Sequence, residues 1–233
     1  MARRNVPIAE FSMLWQRHET LYRGIFIEAL NQLNVTDGQR KYEDDISEAL
    51  CPVLRKICFL DKNKPAIPQW ERPISPGSFA ELKGGKSSKR PDFTCSLTNT
   101  FATTQEMHEI SLHVECKRLG KKNRSKALNE NYIKNGVKRF DTLTHEYGKR
   151  SPSGMMVGYI INSDRHDILC QVNRHLSCTA LPEITFAFKK KVESCDMIIS
   201  RCNVEPKNFK LIHIWTDLRP TTHQAADTEK ISE

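Results

Sequence analysis

Ile110-Ser111-Leu112-His113-Val114-Glu115-Cys116-Lys117 is the stretch on which the fold turns. Apolar Ile110, Leu112, Val114 and Cys116 alternate with polar Ser111, His113, Glu115 and Lys117. Period two places the two sets on opposite faces of a strand. One face suits a core, while the other carries a carboxylate and an ammonium group side by side. Upstream, residues 93–97 read as an earlier strand opened by Pro91-Asp92. If the two strands pair as a hairpin, Asp92 comes beside Glu115 on that polar face.

Outward from this hairpin the chain alternates helices and strands. Residues 11–33 carry Leu14, Leu21, Ile25, Ala29 and Leu33 near helical spacing, and Thr36-Asp37-Gly38 ends that helix. Residues 42–59 form a second amphipathic pattern, and residues 61–85 are loop-like, with four prolines and Gly84-Gly85. Residues 129–147 read as a helix. Residues 155–161, almost wholly apolar, read as a buried central strand. A helix over 166–176 and strands over 184–188, 197–200 and 211–215 follow. This order predicts an α/β fold, a mixed central sheet flanked by helices, with an N-terminal helical segment. The expected organisation is one domain over 1–219. Within it, 1–38 is a helical extension, 40–162 the core and 163–219 a C-terminal helix and strands, with 220–233 a polar tail.

Composition narrows the classes. Hydrophobic residues make up 38% of the 233 and charged residues 27%, which places the chain among globular proteins. No run approaches the roughly 18 apolar residues of a membrane span, so no membrane partner is expected. The arginines of the start precede no apolar core, so a secretory signal is not expected, and a cytoplasmic location is. The eight cysteines then read as reduced, buried thiols; with no CxxC pair they suggest no zinc site. No GxSxG, GxxxxGK[ST] or GxGxxG pattern occurs, which removes serine hydrolase, P-loop and Rossmann readings.

The polar cluster has a chemical use. Neighbouring carboxylates repel, and a hard divalent cation relieves that repulsion. Oxygen ligands without thiols or imidazoles suit Mg²⁺, with Mn²⁺ as substitute. Such an ion polarises phosphate oxygens and lowers the pKa of bound water, and a nearby ammonium group orients that water or stabilises developing charge.

Pro91-Asp92 followed by Glu115-Cys116-Lys117 closely resembles the motif of the PD-(D/E)XK nuclease superfamily, and the likeness spans about residues 40–162. The resemblance implies a restriction-endonuclease-like fold, Asp92, Glu115 and the Cys116 backbone carbonyl as metal ligands, and Lys117 as catalytic lysine. It also implies one more acidic metal ligand, at the catalytic centre, on the preceding helix. Setting Ile46 at zero and turning about 100° per residue, Glu43 falls near 60°, within the apolar stripe, and Glu48 near 200°, facing away. This favours Glu43 and leaves Glu48 as the alternative; Glu43 also suits a plain first-turn acid. Residues 132–140 and the following Gly-Met-Met-Val-Gly-Tyr strand are similar to nucleases of prokaryotic restriction and anti-phage defence.

Charge is concentrated near this motif. The chain carries 36 Lys and Arg against 28 Asp and Glu, a surplus of 8. Residues 117–150 alone hold 11 basic and 3 acidic residues, the same surplus. Lys83, Lys86, Lys89 and Arg90 form a second basic group before Asp92. Lys89, Arg90, Arg118, Lys121, Lys122, Lys134, Lys138 and Arg139 are the candidate phosphate contacts. The expected function is a Mg²⁺-dependent endonuclease acting on DNA ahead of RNA, working as a homodimer or within a larger defence complex. The alternative is a non-catalytic nucleic-acid-binding or assembly subunit on the same fold.

Overall fold

The structure is a computed structural model that describes residues 8–74, 89–121 and 127–220. Helix α1 (Ile8–Gln32) buries Trp15, Tyr22, Phe26, Ala29 and Leu30. Helix α2 (Glu43–Leu60) begins after a 3₁₀ turn at Gln39–Lys41 and buries Ile46, Leu50, Leu54 and Ile57. These apolar residues recur every three to four positions, so each helix presents one stripe to the sheet.

Six strands form one mixed sheet in the order β1-β2-β3-β4-β6-β5. They are β1 (Gln69–Trp70), β2 (Phe93–Thr98), β3 (Glu109–Leu119), β4 (Ser153–Ile160), β5 (Val192–Ser200) and β6 (Asn208–Asp217). The pairs β3–β4 and β4–β6 are parallel, while β1–β2, β2–β3 and β5–β6 are antiparallel. All eight residues of β4 are buried, as a strand covered on both faces requires.

Two apolar layers sandwich the sheet. On one face α1 and α2 pack on Leu112, Val114, Cys116, Met155, Val157 and Ile214. On the other, α3 (Leu128–Lys134) and α4 (Arg165–Ser177) cover Leu119, Met156, Leu211 and Trp215 through Tyr132, Ile133, Ile168 and Val172. The Asp164 carboxylate caps α4, accepting from His166 N–H at 2.8 Å and Asp167 N–H at 3.2 Å. Among the described residues, no helix is long and apolar enough to cross a membrane.

Three expectations are revised. The helix expected over 129–147 stops at Lys134 and resumes as a 3₁₀ turn at Val137–Asp141. The break falls at Gly136, where a Cβ would overlap the Tyr132 carbonyl oxygen and Met156 Cε. Close approach to the sheet, rather than helical continuity, governs this segment. Residues 184–188 alternate in burial like a strand, with Ile184, Phe186 and Phe188 inward, yet pair with none. Their N–H groups find side chains instead: Ile184 donates to Asn173 Oδ1 at 3.0 Å, and Ala187 and Phe188 to Glu193 Oε2 at 3.0 and 2.8 Å. All eight cysteines are free thiols, but only Cys58, Cys95 and Cys116 are buried, while Cys170, Cys178 and Cys202 are exposed.

Candidate active site

The β2–β3 register pairs Phe93 with Val114, so Asp92, one residue before β2, stands against Glu115. The Asp92 carboxylate caps the next position of β3, where Cys116 N–H donates to its Oδ2. Alternation then divides the hairpin. Phe93, Cys95, Leu112, Val114 and Cys116 go into the α1–α2 core, and the opposite face carries Asp92, Thr94, His113, Glu115 and Lys117.

Lys117 is the centre of this face. Its side chain is 5% exposed. Its Nζ donates to Glu43 Oε1 at 2.7 Å, Glu115 Oε1 at 2.5 Å and the Cys116 carbonyl at 2.6 Å, with Asp92 Oδ2 at 3.9 Å. The three N–H bonds of an ammonium group are thereby all engaged. Glu43, the first residue of α2, also accepts the Arg118 N–H through Oε2 at 3.0 Å, fastening the start of the helix to β3. Glu48 is exposed on the far side of α2. Arg139, from the 3₁₀ turn after Gly136, donates through Nη1 to Glu115 Oε1.

Counted as fully ionised, the cluster carries an excess of negative charge, which burial opposes. Asp92, Glu115 and Glu43 stand against Lys117 and Arg139, a formal excess of one carboxylate. Burial pushes Asp92 up to about 6, against the pull of Lys117. Burial, then the charge of Asp92, pushes Glu115 up to about 8, although Lys117 and Arg139 oppose it. Burial alone would lower Lys117, but Glu115, Asp92 and Glu43 together hold it above its ordinary value. Lys117 therefore stays an ammonium ion.

These residues fit a hard divalent cation. Glu115 is fully buried, and its Oε2 has no hydrogen-bond partner. A buried carboxylate oxygen without a partner beside a second carboxylate and a main-chain carbonyl is an oxygen donor set of the kind Mg²⁺ takes. Among the described residues, no three His, Cys, Asp or Glu side chains form a ready-made metal cage. Lys117 engages Glu43 Oε1, Glu115 Oε1 and the Cys116 carbonyl alike, so the partnerless oxygen of this cluster is Glu115 Oε2.

The remaining cations are placed unequally. Arg139 is at the carboxylates. Lys89 and Arg90 directly precede Pro91-Asp92, and the Arg90 carbonyl accepts the Tyr147 hydroxyl at 2.7 Å. The Arg118 guanidinium turns away to the carbonyls of Lys41 and Arg40. Lys134 pairs with Glu130 at 2.5 Å, one helical turn away. Lys121 and Lys138 are exposed. Lys122, with Lys83, Lys86, Arg124 and Lys126, lies outside the described residues.

Two groups at this face went unrecognised in the sequence. Tyr147 packs its ring edge-on against His113 at 5.8 Å. His145 lies near Arg139 and Lys89; burial first, then those two charges, lowers it to about 4. Both sit in an irregular segment with no periodicity to announce them. Comparison with protein-family models, curated proteins and solved structures returns no match for this chain.

Proposed function

We propose that this chain is a metal-dependent nuclease on a restriction-endonuclease-like fold, cutting DNA in restriction or anti-phage defence in the cytoplasm. The observation that carries this reading is the meeting of Glu43, Asp92 and Glu115, from three separate segments, around the one ammonium group of Lys117. A buried carboxylate pair at a sheet face costs stability and has no structural use that an apolar pair would not serve better.

In this reading Asp92, Glu115 and the Cys116 carbonyl hold Mg²⁺, for which Mn²⁺ can substitute. Bound there, the ion would lower the pKa of a water molecule and draw charge from a phosphate oxygen. Lys117 places its ammonium charge beside the reacting phosphodiester and stabilises the charge that builds on its oxygens. Glu43 fixes the lysine rotamer and keeps the group protonated. Arg139 adds a second cation facing the phosphate. Lys89, Arg90, Lys121 and Lys138 contact neighbouring phosphates and set the register of the duplex. Cutting both strands would call for a second copy or a larger defence complex.

The test is plasmid DNA incubated with the purified chain in Mg²⁺, Mn²⁺ or EDTA. Cutting in either metal and none in EDTA is expected. Lys117→Met and Asp92→Asn, each checked for folding by circular dichroism, should slow it by about 10²-fold or more. Salt-sensitive binding with no metal-dependent turnover would leave the non-catalytic subunit as the reading.

A further inference from the structure

We propose that a cavity on the polar face of β2 and β3, one side-chain row from Asp92 and Glu115, takes a single unstacked nucleobase of the bound nucleic acid. The proposal rests on the phosphodiesterase reading above and names a subsite beside that centre. Thr94 pairs with His113 in the β2–β3 ladder, and each lies two residues from its carboxylate neighbour on the same face. Two residues of strand span about 7 Å, so a nucleotide next to the reacting phosphate can reach this row.

The cavity measures about 260 Å³, and Thr94, Ser111 and His113 form part of its wall. That is below the roughly 300–1,000 Å³ of pockets for drug-sized ligands, so it suits one ring system and not a whole nucleotide. Charge excludes a phosphate as the occupant. Arg72, Lys149 and Arg150 on the wall are matched by Glu106, Glu109 and Glu146. Arg72 itself pairs with Glu109 at 3.0 Å. A neutral ligand with its own donors and acceptors fits such a balanced wall.

Thr94 supplies the independent sign of a ligand. It is 5% exposed, and its Oγ1 is buried with no hydrogen-bond partner. A buried hydroxyl left so costs stability; Thr94 stands on the cavity wall, and rotation of its hydroxyl toward an occupant would remove the cost. His113 Nδ1 accepts the Gly148 N–H at 3.0 Å, which leaves Nε2 as the protonated nitrogen of the neutral ring and a second donor. Pro73, Ile74 and the exposed ring of His108 complete an apolar side on which a flat heterocycle can lie.

The experiment uses the full chain in EDTA, where no cutting occurs. Anisotropy is read on a labelled single-stranded oligonucleotide and on versions carrying one abasic position at successive registers. Calorimetry with free adenosine, guanosine, cytidine and thymidine is read alongside. Loss of affinity at one abasic register, with at least one nucleoside binding alone, is the expected result. Thr94→Val should weaken the intact oligonucleotide about 3–10-fold, leave the abasic one unchanged and hold or raise the melting temperature. His108→Ala, at an exposed ring, provides a second variant with the same expected pattern. Equal binding of intact and abasic strands at every register, with Mg²⁺-dependent cutting intact, overturns the pocket alone. Nucleoside binding without any metal-dependent cutting supports the pocket and overturns the nuclease reading.

Discussion

Lys117 Nζ donates to Glu43 Oε1 at 2.7 Å across 74 residues of chain. The second oxygen of the same carboxylate accepts the Arg118 N–H at 3.0 Å, so one side chain fixes both the lysine and the end of β3 against α2. Glu43→Gln keeps an oxygen for Lys117 but removes a charge. It should slow metal-dependent cleavage by roughly 10–100-fold while shifting the melting temperature little. Glu48→Gln, on the exposed side of the helix, should match the parent chain in both. Equal damage from the two changes would remove Glu43 from the site.

At Gly136 the covering segment packs tightly on the sheet beside Lys117. A Cβ there would overlap Tyr132 O and Met156 Cε and stand 3.3 Å from Lys117 Cγ. Gly136→Ala should therefore cost about 1–3 kcal/mol in thermal or urea unfolding, as overpacking does. Because the displaced atoms include the lysine stem and the turn that carries Arg139, cleavage should fall by more than the lost stability explains. A variant as stable and as active as the parent would show that the segment has room to shift.

The hairpin and its carboxylates were legible because they depend on period two and on one pairing. Alternation at residues 110–117 separates the faces, and the register then sets Asp92 against Glu115. Helical angle picked Glu43 over Glu48 among the acids of the preceding helix, once the resemblance called for one there. Arg139 was one of several basic candidates, since a continuous helix over 129–147 would have pointed Lys134, Lys138 and Arg139 in different directions. The break at Gly136, which comes from packing on Met156, decides between them. Residues 184–188 show the converse. Their burial has a strand's period, but Glu193 and Asn173 take the backbone donors that a neighbouring strand would have taken. Periodicity reports which side chains are inward and is silent on what satisfies the backbone.

Arg118 and Lys138 separate anchoring from nucleic-acid contact. The Arg118 guanidinium holds the carbonyls of Lys41 and Arg40 at the turn before α2, whereas Lys138 is exposed on the turn that carries Arg139. Lys138→Ala should weaken DNA binding similarly for every sequence and reduce the slope of log K against log salt by about 1. Arg118→Ala should instead lower the melting temperature and slow cleavage through Glu43, with the salt slope unchanged. Fluorescence anisotropy over a salt series, beside a thermal melt, distinguishes the two. The reverse assignment would place Arg118 in the interface.

Part of the acid sensitivity should trace to His213 on β6, in addition to His113 and His145, which burial also lowers. Its ring is fully buried, its Nδ1 lies 2.6 Å from the Tyr132 hydroxyl, and its Nε2 has no partner. Trp215 Nε1–H donates to that same hydroxyl at 3.1 Å, so the tyrosine oxygen accepts there and is free to donate to the neutral imidazole. Burial lowers His213 from its ordinary 6.5 to about 3. Between those values the unfolded chain binds a proton that the folded chain refuses, so stability rises with pH across that window and is lost as pH falls below about 6.5. The loss is on the order of 1 kcal/mol per pH unit for this one group. His213→Gln cannot titrate, and its unfolding free energy should fall less steeply than the parent's between pH 6.5 and 4. Because Asp92 and Glu115 are present in both proteins, the difference between the two curves isolates the histidine. Parallel curves would mean that acid enters the fold elsewhere.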